Sequence, residues 1–222
     1  MRYICQKIIV ILIILIFKPS IASEIVKVKN IKNKVFVLDI YGERYSIIKN
    51  SRIKSGDFLK STKKSAILFL KNSKICFSKN SSIKINSINH ATKKINITIV
   101  RGKFAFYKNK INKLKFFLKL NDNIIQNQFG YVFLSKTLNN SISIKTFKGE
   151  NYLYNKSNER IKLNSNSFYH FQENIETNQQ KDYFKHSDFL KQCYDKNYKS
   201  YLPNEFKYKC SSSKNKIYCG YQ

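Results

Sequence analysis

Between residues 31 and 163 the chain alternates short apolar runs with turn-forming residues. Ile95, Ile97 and Ile99 each have polar neighbours, and Phe104 and Phe106 repeat that spacing. Successive side chains of a strand point to opposite faces, so an apolar residue at every second position marks a half-buried strand. Further strand-length runs are Val35–Leu38, 45–48, 58–59, Ala66–Leu70, 74–77, 131–134, 142–144, 152–154 and 161–163, with Ile83, Ile85, Ile88 and Phe117 beside them. Lys71-Asn72-Ser73 reads as a hairpin connection. Gly42, Gly56, Gly102, Gly130 and Gly149 fall between runs and mark turns, where positive φ selects glycine. No long helical period interrupts this pattern. It predicts an all-β domain of short strands over residues 23–171, built as a sandwich or a short solenoid.

The two ends follow other patterns. Arg2 and Lys7 precede ten uninterrupted apolar residues, Ile8 to Phe17, and Pro19 and Ser20 end the run. With Ser20-Ile21-Ala22 as a small-x-small site, residues 1–22 read as a secretory signal peptide cleaved near Ala22. A spanning anchor needs about 20 apolar residues, twice this run. Cys5 lies ahead of the apolar core, which argues against lipid modification. The expected location is therefore periplasmic or secreted. Beyond the β domain, 172–182 is a polar linker and 183–222 a cysteine-containing tail. In it, 183–194 suits a short helix turning Phe189, Leu190 and Cys193 inward, and 206–210 with 217–221 suits a hairpin around Ser211-Ser212-Ser213.

Charge changes the picture more than composition does. The chain has 42 Lys+Arg against 13 Asp+Glu, a formal +29. Losing Arg2, Lys7 and Lys18 with the leader leaves +26, a field that attracts polyanions and membrane surfaces. Only Arg2, Arg44, Arg52, Arg101 and Arg160 are arginine, and Asn and Ile are abundant. That is the profile of AT-rich codon use, whereas selected nucleic-acid binders favour the bidentate arginine fork. Nucleic acid is thus the disfavoured polyanion, behind lipopolysaccharide and anionic lipid. The densest interleaving of cations and aromatics is Lys108, Lys110, Lys113, Lys115 and Lys119 with Tyr107, Phe116 and Phe117. Such a set can bind an anionic polymer and stack its rings; a solvated strand face above core aromatics gives the same pattern.

After leader removal four cysteines remain, Cys76, Cys193, Cys210 and Cys219. Cys210 and Cys219 flank the expected hairpin and are the candidate disulfide. The pairing of Cys76 and Cys193 stays open, a buried free thiol being one alternative for Cys76. His90, His170 and His186 lack metal-ligand spacing, and no Cys-x-x-Cys occurs. Cys193 and His186 are the one nucleophile–base pairing the segment offers, with nothing local to support it. No enzymatic activity and no cofactor are expected.

Several blocks occur in an order known from one family: Ile53-Lys54-Ser55-Gly56-Asp57-Phe58-Leu59-Lys60-Ser61-Thr62, then residues 65–75, Asn80-Ser81-Ser82-Ile83-Lys84-Ile85, Val100-Arg101-Gly102-Lys103-Phe104, Phe129-Gly130-Tyr131-Val132-Phe133, and residues 144–150. From Ile31 to Phe171 the chain resembles the FecR domain, a periplasmic all-β module. Asn72-Ser73 stands where the family usually has Asp-Gly-Ser. The resemblance implies fold more than function. Family members that relay a signal to a sigma factor use a cytoplasmic N-terminal segment, and only seven residues precede the apolar run here. The expected role is that of a stand-alone envelope module binding an envelope protein or cell-wall glycan; the alternative is a polyanion-binding protein acting through its basic surface.

Overall fold

The computed structural model describes residues 25–155, 157–165, 168–171, 193, 208–213 and 216–221. The main hydrogen-bonded path runs through β14 (Arg160–Leu163), β13 (Ile142–Tyr154), β12 (Asn123–Lys136), β11 (Lys115–Leu120), β10 (Lys94–Lys108), β9 (Ser82–Asn89), β6 (Phe58–Ser61), β3 (Val35–Leu38) and β4 (Arg44–Ser46). A branch leaves β10 through β8 (Ser73–Phe77) and β7 (Ala66–Leu70) to β2 (Asn30–Lys32), while β15 (Phe168–Phe171) joins β13. β1 (Ile25–Lys27) pairs with β5 (Arg52–Lys54). The expected all-β class is what the chain adopts.

Three strands are far longer than the usual five or six residues: β10 has 15, β12 has 14 and β13 has 13. Each contains one glycine at left-handed φ, namely Gly102, Gly130 and Gly149. Before Gly102, β10 pairs with β9 and β11; from Gly102 onward it pairs with β8 and β12. β12 and β13 exchange neighbours at their own glycines in the same way. One continuous ribbon thus folds into two layers, a device by which strands pass between packed sheets. Sheet I comprises β4, β3, β6, β9, β11, β14, the first half of β10 and β12, and the second half of β13. Sheet II comprises β2, β7, β8, β15 and the complementary halves.

These three glycines correct the expectation of turns. The chain continues as strand through each, all three at positive φ, and at Gly102 and Gly149 close approach of a neighbouring segment also requires glycine. A Cβ on Gly102 would stand 2.2 Å from Ser81 Oγ, and one on Gly149 would stand 2.2 Å from the Phe129 carbonyl oxygen. Hydroxyls fill the Gly102 corner: Ser81 Oγ lies 2.7 Å from Ser78 Oγ, and Lys103 N donates to Ser81 Oγ at 3.2 Å. The register shifts between Ile99 and Arg101. Buried positions therefore change parity, from Ile95, Ile97 and Ile99 to Phe104 and Phe106.

One hydrophobic core lies between the layers and draws on both. Phe77 meets Phe104 edge-on at 5.4 Å, Phe104 meets Phe106 at 6.2 Å, and Phe106 of sheet II reaches Phe116 of sheet I at 5.9 Å. All four are fully buried. In the β7–β8 hairpin Asn72 takes the left-handed conformation at φ 56°, the role a glycine would fill, because a short amide side chain tolerates it.

At the C-terminus β16 (Tyr208–Ser213) pairs with β17 (Lys216–Tyr221), and β17 lies against β15. The hairpin is present, but Ser211, Ser212 and Ser213 are paired strand residues rather than its turn. Their opposite numbers are Tyr218, Ile217 and Lys216, so backbone pairing overrides the turn tendency of serine. The leader, the linker and the 183–194 helix, apart from Cys193, lie outside the described residues.

Candidate functional site

The two layers have very different outer faces. On sheet I, strand register aligns one residue from each of nine strands in a single row: Arg44, Leu38, Phe58, Lys84, Thr98, Lys119, Ile124, Tyr154 and Arg160. Neighbouring strands stand about 4.8 Å apart, so the row is roughly 38 Å long. Arg44, Leu38, Lys84, Lys119, Ile124 and Arg160 are exposed, and Phe58, Thr98 and Tyr154 are half-buried. The row holds four cations and no carboxylate. Two residues along the strands a second row follows: Ser87, Asn96, Phe117, Gln126, Tyr152 and Lys162.

These side chains brace one another. Lys94 Nζ sits 5.3 Å from the Phe117 ring centre, Arg160 Cζ 3.7 Å from Tyr152, and Arg44 Cζ 4.5 Å from Phe36. Cation–ring attraction fixes each charge against an aromatic instead of leaving it at the end of a mobile stem. Asn96 Nδ2 donates to Ser87 Oγ at 2.7 Å, Asn86 Nδ2 to Thr98 Oγ1 at 2.8 Å, and Tyr154 Oη to Gln126 Oε1 at 2.8 Å. The Tyr152 hydroxyl donates to Glu150, and that hydrogen bond is the main reason its pKa is raised. At one end of the face Asn33, Lys34, Phe36, Arg44, Thr62, Lys63 and Lys64 line an open groove of about 670 Å³. The nearest carboxylates are Asp39 and Glu43 in the β3–β4 turn, the exposed Asp122 in the turn between β11 and β12, Glu150 on β13 and Glu159 just before β14.

The five lysines singled out in the sequence are divided by this geometry. Lys115 and Lys119 flank Phe117 on β11, and Lys94 of parallel β10 lies opposite Lys115. Lys110 stands in the following loop with Nζ 5.7 Å from the Phe129 ring, and Lys113 is exposed in that loop. Lys108 is buried and donates to the Gln128 carbonyl. Burial, then the charge of Lys115, lowers its pKa. It closes the end of β10 and is not part of the open face. Arg44, Lys84 and Arg160 were missed because they lie far apart in sequence. The available signal was a cation between inward apolar residues, as in Ile83-Lys84-Ile85.

Sheet II presents its outer face to the protein itself. Ile67, Cys76, Ala105, Phe133 and Phe147 form a second buried cluster, closed by Cys193 from the C-terminal segment. Tyr107 packs against Tyr131 with tilted rings 4.4 Å apart, and Phe133 meets Phe147 edge-on at 4.8 Å. Lys74 Nζ lies 5.4 Å from the Tyr107 ring and 5.3 Å from Tyr131. The backbone sets Cys210 directly opposite Cys219. His186, the base considered for Cys193, lies outside the described residues. Burial drives the Cys193 thiol pKa strongly upward, which opposes the thiolate a nucleophile needs.

Family models, curated proteins and solved structures were all compared with this chain, and none matches.

Proposed function

We propose that the protein is a non-enzymatic, exported envelope module of the FecR-like kind, and that the outer face of sheet I binds an extended anionic glycan. The observation that carries this reading is the register-aligned row from Arg44 to Arg160. An acidic polysaccharide repeats a negative group and a ring along its length. The row repeats exposed cations (Arg44, Lys84, Lys119, Arg160) between half-buried rings (Phe58, Tyr154), with Phe117 and Tyr152 alongside. Codon use accounts for the number of lysines, but it does not account for the placing of two lysines and two arginines in one row with Phe58 and Tyr154. The leader and the order of the sequence blocks support export and the family likeness.

Titration of the full chain with polygalacturonate, and with neutral dextran as control, tests the reading. Polygalacturonate should bind, and its log affinity should fall linearly with log salt as counterions return. Replacing Lys84 and Lys119 with Ser should weaken binding by about tenfold and flatten that slope. Phe117→Ala should weaken binding without altering the slope. Equal affinity in wild type and the Lys84/Lys119 variant would overturn the assignment of this face. A salt-resistant protein partner recovered from envelopes, still bound by that variant, would favour a protein ligand in its place.

A further inference from the structure

Cys76 on β8 and Cys193 of the C-terminal segment are each 1% exposed and share the cluster formed by Ile67, Ala105, Phe133 and Phe147. Both are buried free thiols in this structure, and the Cys76 side chain is among the groups acting on the Cys193 thiol. The two residues are far apart in sequence, so the contact is a product of the fold. We propose that Cys76 and Cys193 form a disulfide that fastens the C-terminal segment over the outer face of sheet II. The two thiols give up two protons and two electrons as the S–S bond forms. A protein or small-molecule disulfide accepts them and is reduced to two thiols.

Burial determines when the bond forms. The Cys193 pKa is raised chiefly by desolvation, so little thiolate exists once the segment is seated. Exchange therefore takes place while the segment docks, and the same burial afterwards shields the bond from reductants. A cross-link between such distant residues removes much freedom from the unfolded chain. It also leaves Cys210 and Cys219, opposite each other on β16 and β17, to pair locally.

Trypsin places the four cysteines on separate peptides, 75–79, 192–196, 210–214 and 217–222. Full-length chain is refolded in oxidised and reduced glutathione, blocked with N-ethylmaleimide in denaturant, and digested. The expected product is peptide 75–79 linked to 192–196, about 2 Da lighter than the two free thiol peptides together. The link should persist in Cys210→Ser/Cys219→Ser protein and resist dithiothreitol until denaturant is added. Cys193→Ser should lower the thermal midpoint by roughly 10 °C under oxidising conditions, and the shift should shrink when wild type is unfolded in reductant. Maleimide on both Cys76 and Cys193, or a link from either to Cys5, Cys210 or Cys219, would overturn the proposal.

Discussion

The outer faces of the two sheets carry similar residues and have opposite fates. On sheet I, lysine and arginine stand beside Phe36, Phe117 and Tyr152 with their charges in solvent. On sheet II, Lys74 and Lys145 lie over Tyr107, Tyr131 and Phe147, yet both lysines are buried. Residue type therefore does not decide which face remains open. Two differences do. Sheet II brings Phe133 and Phe147 into one buried apolar cluster, and Cys193 packs into it. Sheet I spreads its rings along a row with cations and Thr98 between them, so no apolar patch accumulates.

The sharpest test of this contrast removes one ring from each face. Phe133 is fully buried and packs on Phe147, so Phe133→Ala should cost about 3–5 kcal/mol in urea unfolding. Phe117 is half-buried, and Phe117→Ala should cost about 1 kcal/mol while weakening anionic-glycan binding. Equal costs would mean that the two faces are equally covered, and the distinction would fail.

A smaller effect is expected where β12 and β13 pass between the layers. Asn127 Nδ2 donates to Asn151 Oδ1 at 2.7 Å, both residues being fully buried. Asn127 Oδ1 and Asn151 Nδ2 have no partner. Asn151→Ala leaves the Asn127 amide without its main acceptor and should cost about 1–3 kcal/mol. Changing both to Val removes every unsatisfied group together and should fall within about 1 kcal/mol of wild type. A double variant as unstable as the sum of two single losses would show that this pair stabilises the corner by more than mutual satisfaction.

How much of this was legible in sequence depended on distance along the chain. Local alternation placed Ile95, Ile97, Ile99, Phe104 and Phe106 on the core side, where they are buried. The same rule misread Gly102, because a turn and a strand corner impose the same φ demand and differ only in what lies beside the Cβ. Lys108 could not be separated from Lys115, since it is buried with strands β8 and β12 on either side and donates to Gln128 of β12, partners distant in sequence. The row from Arg44 to Arg160 exists only through eight successive registers, and the parallel β10–β11 pairing at its centre has no local signature. The contact of Cys76 with Cys193 is equally nonlocal.

The finest test concerns the cost of charge at the margin of the covered face. Lys103 follows the Gly102 corner on the outer side of sheet II, and burial lowers its pKa from the ordinary 10.5. The unfolded chain then binds a proton more readily than the folded one does. Stability contributed by this group therefore rises with pH, starting near its lowered folded value and levelling off above 10.5. Lys103→Met keeps most of the aliphatic stem and removes the titration. The stability of wild type minus that of the variant should move toward wild type as pH climbs from 7 to 10.5, by less than either preceding test. A difference that stays flat across that range would place the Lys103 ammonium in solvent and extend the open surface past the Gly102 corner. The boundary between the two faces would then lie deeper into sheet II than the packing of Ala105 and Cys76 implies.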